Sequence, residues 1–110
     1  MRSQKLLRIR DEVVNALKVL ARELDATIYL FGSYARGDHA LESDVDVVVV
    51  SGAFKDMDYA SRVELVRVRL PPHIGFDIIP LTPEEFRERL RRAFFKDISR
   101  YWIEIKPAKV

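Results

Sequence analysis

Two aspartates flanking a single valine, Asp44-Val45-Asp46, stand ten residues beyond a Gly32-Ser33 pair. If this stretch is extended, side chains two apart leave the strand on one face. Their Cα atoms then lie roughly 6.6 Å apart. Two carboxylates so placed can share one divalent cation or flank a pair about 3.5–4 Å apart. Without a cation they repel, and one of them resists ionisation. The Gly-Ser pair offers the complementary chemistry. Glycine has no Cβ to hold a ligand away from the backbone. A helical turn opening at Ser33 through Tyr34, Ala35 and Arg36 presents free N–H groups to anions. The Ser33 hydroxyl adds a donor, and the Arg36 guanidinium suits phosphate oxygens. A phosphate cradle beside a metal-binding acid pair describes a nucleoside-triphosphate site.

Those residues need elements to carry them. Leu6, Ile9, Val13, Leu17, Leu20 and Leu24 recur at spacings of three and four, predicting a helix over 3–24 with Ser3 as N-cap. The run Thr27–Phe31, β-branched and aromatic, reads as the strand that delivers the Gly-Ser turn. Asp44–Val50 reads as a central strand whose valine end is buried on both faces and whose acidic end stays at the rim. Residues 51–58 connect, with Gly52 as a breaker. The stretch 58–69 fits helix and strand periodicity alike, and the need for a crossover favours helix. Pro71 and Pro72 end it. Ile74–Leu81 follows as a third strand. Thr82-Pro83-Glu84-Glu85 then signals a helix start, with proline at the first helical position and acids in the first turn. The predicted helix continues through Phe86, Leu90 and Ala93, and Tyr101–Ile105 alternates like an edge strand.

Asp77 is an isolated acid inside an apolar strand, FDII, and a charge there needs a metal or a cationic partner such as Arg36 or Arg69. Glycine–serine, ten residues, an alternating acid pair and a third acid on a later strand together resemble the DNA polymerase beta-type nucleotidyltransferase superfamily. Within it the chain most resembles the minimal nucleotidyltransferases. The resemblance runs from Thr27 to Phe86. It implies an α/β nucleotidyltransferase fold, a small mixed sheet packed with helices, as one domain over residues 1–110. Gly32, Ser33 and Arg36 would bind the phosphates of ATP, and Asp44, Asp46 and Asp77 would be the catalytic, metal-holding acids for Mg²⁺ or Mn²⁺. The family implies transfer of AMP to a hydroxyl, often on a helical HEPN toxin whose antitoxin the nucleotidyltransferase is. Homo-oligomerisation is the alternative way to complete so small a site. Two rival readings stand beside this one: a non-catalytic nucleotide- or metal-binding partner module, and a small-molecule nucleotidyltransferase similar to aminoglycoside-modifying enzymes.

Composition narrows the field further. The chain of 110 residues suits one domain with its own core. It has no cysteine, which excludes disulfides and thiolate metal sites. His39 and His73 lack a zinc-like partner pattern, and His39 reads as an ordinary loop histidine. No apolar run is long enough to span a bilayer and no secretory signal is evident, so a cytoplasmic protein is expected. A net charge of +2 does not require a nucleic-acid partner. The basic residues are nevertheless uneven: Arg87, Arg89, Arg91, Arg92, Lys96 and Arg100 crowd the C-terminal quarter, as a solvated helix face or a patch for an acidic partner or RNA. The aromatic pairs Phe94-Phe95 and Tyr101-Trp102 read as core or interface.

Overall fold

The computed structural model describes residues 3–107. Its centre is a four-stranded mixed sheet in the order β3-β2-β1-β4. Strands β1 (Thr27–Phe31) and β2 (Val45–Val50) pair antiparallel, and β3 (Phe76–Leu81) runs parallel to β2. At the far edge β4 (Ile103–Ile105) pairs antiparallel with β1. The parallel β2–β3 pair needs a crossover, and α3 (Tyr59–Arg67) supplies it. Helix is therefore the correct reading of that ambiguous stretch.

Strand periodicity divides the sheet into two unlike faces. Ile28, Leu30, Val45, Val47, Val49 and Ile78 turn toward α1 (Gln4–Leu24), which buries Val13, Leu17, Leu20 and Leu24 against them. Ser3 caps α1 by accepting a hydrogen bond from the Leu6 N–H, as its sequence position predicts. Tyr29, Phe31, Val48 and Val50 turn the other way, under Phe86, Phe95, Ile98 and Trp102. There Tyr29 stacks on Phe86 at 4.9 Å and meets Trp102 at 4.3 Å.

The expected continuous helix through Ala93 does not form. Helix α4 (Pro83–Arg89) stops at Leu90, Arg92 is extended, and α5 (Ala93–Ile98) starts anew. At about 100° per residue, nine residues of unbroken helix would set Phe95 on the face opposite Phe86. The break lets both rings meet on the sheet, with centroids 6.3 Å apart. It also leaves Leu90 and Phe94 exposed. The arginines of this segment face solvent, and two pair loosely with acids of α4, Arg87 with Glu84 and Arg91 with Glu88.

The two outer edges of the sheet are finished differently. Along β3, Arg67 donates to the Phe76 carbonyl at 3.2 Å, Tyr59 to Ile78 at 3.3 Å and Arg62 to Pro80 at 3.3 Å. Those carbonyls are two residues apart, so they belong to one edge of the strand, and α3 closes it. Pro80 has no N–H to offer, which suits an edge strand. Arg62 is itself held by Glu85 at 2.6 Å, and Glu85 accepts from the Thr82 N–H in a capping box at the start of α4.

Candidate active site

Gly32 follows β1 directly and opens α2 (Gly32–Arg36), the helical turn anticipated at Ser33. Its φ of +71° lies in the left-handed region, where any side chain is strained. A Cβ there would also overlap the Asp46 carboxylate. Glycine at this position thus does two things: it makes the turn and it leaves room for the acid. Register accounts for the approach, since Phe31 lies opposite Asp46 and Asp46 opposite Asp77.

The loop between α2 and β2 is pinned at both ends. His39 is buried, stacks on Tyr34 at 4.2 Å and donates from Nε2 to the Leu6 carbonyl at 3.0 Å. It is therefore an anchor between the loop and α1, not an ordinary loop histidine. Near the other end Ser43 Oγ accepts from the Ala40 N–H at 2.8 Å, while the Ser43 N–H donates to the Ala40 carbonyl at 3.1 Å. Asp44 emerges just after this closed turn. Its carboxylate occupies the space that a Cβ on Gly75 would need. Gly75 also accepts from the Val45 N–H at 2.9 Å, which fixes where β2 begins beside β3.

A cavity of about 720 Å³ brings together Gly32, Ser33, Arg36, Asp44, Asp46 and Asp77, all six of the site residues expected from the sequence. That volume is in the range of sites for nucleotide-sized ligands. Phe94, Asp97 and Tyr101 close the cavity on the α5 side. Burial is the main cause that raises the Asp46 carboxyl above its ordinary range. The negative charge of Asp77, a hydrogen bond to it and the charge of Asp44 add to the effect, and Arg36 opposes it. Arg36 pairs with neither Asp44 nor Asp77. It bonds Asp38 at 3.3 Å, lies over the Tyr101 ring at 5.6 Å and reaches the Tyr101 hydroxyl at 3.5 Å. Arg69 is occupied elsewhere, donating to the Leu65 carbonyl at 2.9 Å. Asp77 therefore has an acid, not a cation, as its neighbour.

The donors suit a hard cation. They are carboxylates, with no cysteine in the chain, and both glycines are cut back where the acids stand. Among the described residues no three acids or histidines are yet gathered as a finished metal site. Asp46 and Asp77 are in contact, whereas Asp44 leans over Gly75.

Sequence reading missed Gly75, Asp97 and the cavity-lining role of Phe94 and Tyr101. A glycine two residues before a strand acid was a usable signal for the first. Nothing local marks the others, because they reach the cavity only through the break at 90–92 and the turn before β4.

Comparison with known proteins agrees with this geometry. A family model described as a nucleotidyltransferase domain matches residues 10–101. A Methanocaldococcus jannaschii relative, MJ0604, named by inference as a protein adenylyltransferase, is 34% identical over 88 residues, which span 79% of this chain and 84% of the relative. Among solved structures, a Sulfolobus solfataricus protein assigned as a nucleotidyltransferase superposes with a TM-score of 0.59 at 24% identity, over 79% of this chain and 82% of that one. A structure described as a toxin–antitoxin with AMP-PNP superposes with a TM-score of 0.60 at 22% identity, over 87% of this chain and 74% of that one. Those two likenesses speak to the fold. With the Gly-Ser turn and all three acids inside the matched span, the chain belongs to the nucleotidyltransferase domain family of enzymes.

Proposed function

We propose that this chain is a Mg²⁺- or Mn²⁺-dependent adenylyltransferase that moves AMP from ATP to a hydroxyl on a partner protein. In this reading it is the antitoxin of a pair whose toxin is a helical, HEPN-type protein. The observation that carries the proposal is the Gly32–Asp46 junction. Any side chain on the turn that would cradle phosphate would overlap the carboxylate that would hold metal, so the two features are built against each other. The adenylyltransferase name of the archaeal relative and the toxin–antitoxin neighbour favour a protein acceptor over a small molecule.

In this mechanism the Gly32-Ser33 turn and Arg36 bind the β- and γ-phosphates and orient the α-phosphorus toward the acids. Asp44, Asp46 and Asp77 would hold the cation. When bound, the cation lowers the pKa of the acceptor hydroxyl and offsets charge on the leaving group. The acceptor oxygen bonds to the α-phosphorus as the bond to the bridging oxygen breaks. Pyrophosphate leaves with that electron pair, and the hydroxyl proton passes to solvent. Phe94 and Tyr101 line the cavity wall and would limit water around the base. Orientation of the two reactants can supply roughly 7–11 kcal/mol of the barrier, and a protein acceptor docked beside the cavity would provide it.

The test is incubation with ATP labelled at the α-phosphate, Mg²⁺ and a candidate HEPN-type partner. Label is expected on the partner protein, dependent on the metal and lost in Asp46→Asn. Label confined to small-molecule acceptors, or nucleotide binding without turnover, overturns the assignment.

A further inference from the structure

Unlike the sealed β3 edge, the outer edge of β4 has no strand or helix donating to it among the described residues. Beside it runs a groove of about 540 Å³, between β4 and one flank of α1. Val14, Ile103 and Ile105 form an apolar floor, and Arg10, Lys18 and Arg22 line the α1 wall. Lys106 adds a fourth cation, paired with Glu104 at 3.6 Å. No ion pair engages Arg10, Lys18 or Arg22 among the described residues.

We propose that this groove takes an extended, acidic segment of a partner protein, which adds to β4 as a fifth strand. Dimensions agree. From Arg10 to Arg22 the helix rises about 18 Å. A strand of ordinary length covers about 17–20 Å, of which the three residues of β4 offer about 10 Å of pairing edge while the α1 wall spans the whole. Lys18 and Arg22 are about 6 Å apart along the helix, and Arg10 and Lys18 about 12 Å. Alternate residues on a strand recur every 6.6–6.8 Å or so, so acids at every second position meet this wall in step. One acid also borders the groove: Glu104 lies across from Tyr29, bonds its hydroxyl and selects against acids on that side of the incoming strand. The favoured segment therefore alternates, with acids toward α1 and uncharged residues toward Glu104. A second copy of this chain is a poor occupant, because joining β4 to β4 would set the two basic walls together. An unpaired strand edge over an apolar floor favours polypeptide over RNA, since main-chain hydrogen bonds provide the affinity in strand addition. Tyr101, which lines the cavity on the opposite face, lies two residues before β4, so only the start of this strand edge adjoins that cavity.

The proposal is independent of the chemistry assigned to the cavity, and a binding experiment tests it without turnover. The probes are a fluorescent peptide of about seven residues alternating Glu and Thr, a peptide of the same composition with its Glu contiguous, and an RNA oligomer of equal charge. The full chain should bind the alternating peptide saturably, with amide shifts centred on Ile103–Lys106, and should bind the contiguous one several-fold more weakly. The exposed double change Lys18→Glu/Arg22→Glu should weaken binding about tenfold or more, equivalent to about 1.4 kcal/mol. Should that variant misfold, Lys18→Gln/Arg22→Gln is expected to weaken binding in the same direction. Equal affinity for all three probes, shifts centred on Arg87–Arg92, or no saturable binding overturns the assignment.

Discussion

The face of the sheet under α1 and the face under α4 and α5 are built from different materials. Aliphatic side chains predominate in the first, alongside Tyr34, Phe54 and Phe76, and many of them are fully buried. Aromatic rings cover the second, and its outer end is left open as the candidate active-site cavity, where Asp46 and Asp77 stand on the same side as Val48 and Tyr29. Aliphatic interdigitation leaves no room for a ligand. Rings bridge wider gaps and can wall a cavity that remains partly wet. If the proposed site is the working one, the chain stabilises itself with one face and works with the other, and substitutions on the two faces should separate stability from activity.

Four substitutions test that separation, in order of decreasing effect. Asp46→Asn should reduce nucleotidyl transfer to background while leaving the metal-free protein at least as stable as wild type. The sign follows from its raised pKa. A carboxyl whose folded pKa lies above its unfolded value, about 3.9, destabilises the native state as pH rises through that interval and beyond. Asparagine carries no such penalty and can still donate to Asp77. A thermal melt without metal at neutral pH measures this, and a clear drop in Tm would contradict it. Leu17→Ala, under the aliphatic face, should cost about 2–5 kcal/mol in denaturant unfolding. Its affinity for Mg²⁺-ATP, measured by calorimetry below the melt, should be unchanged.

Glu85→Gln probes a charge of opposite sign in its effect. The Arg62 guanidinium, then the Thr82 backbone N–H, hold Glu85 below the usual carboxylate range. Its stabilisation is present above the unfolded value, about 4.3, and is lost as pH falls through the lower folded value. The side chain is 44% exposed, so screening keeps the effect modest, about 1 kcal/mol or less. The difference between wild-type and Glu85→Gln stability should shrink on acidification toward pH 3. A constant difference would remove the ion pair from the account. Ser33→Ala should be the mildest for the fold, with stability within about 0.5 kcal/mol. It should weaken ATP more than AMP, by roughly the 1 kcal/mol of one hydrogen bond. Equal losses for both nucleotides would place Ser33 outside the β/γ-phosphate contacts.

Much of this was legible in the residues themselves. Helix α1 announced itself by six apolar residues at one period, β2 by its valines, and the cavity by a Gly-Ser turn and two acids at fixed spacing. Those signals are local, and local geometry decides them. What stayed hidden depends on where separate elements meet. His39 has no sequence neighbour that reveals its bond to Leu6, 33 residues away. The break at 90–92 follows from Phe86 and Phe95 needing the same sheet face, a requirement invisible until the sheet exists. Arg10, Lys18 and Arg22 carry no signal of their own in the sequence, and only the placement of β4 turns them into the wall of a groove.

The closed edge of β3 has a consequence for how this protein fails. Three carbonyls there are kept from solvent and from other chains by the side chains of one short helix, Tyr59, Arg62 and Arg67. If α3 frays, all three become available together, on a strand that is otherwise ready to pair. Tyr59 and Arg67 are exposed, and replacing them should change Tm little. Their loss would appear instead as aggregation on storage or mild warming, well below the melt. These surface residues would then matter less for how firmly the chain folds than for whether it remains alone once folded.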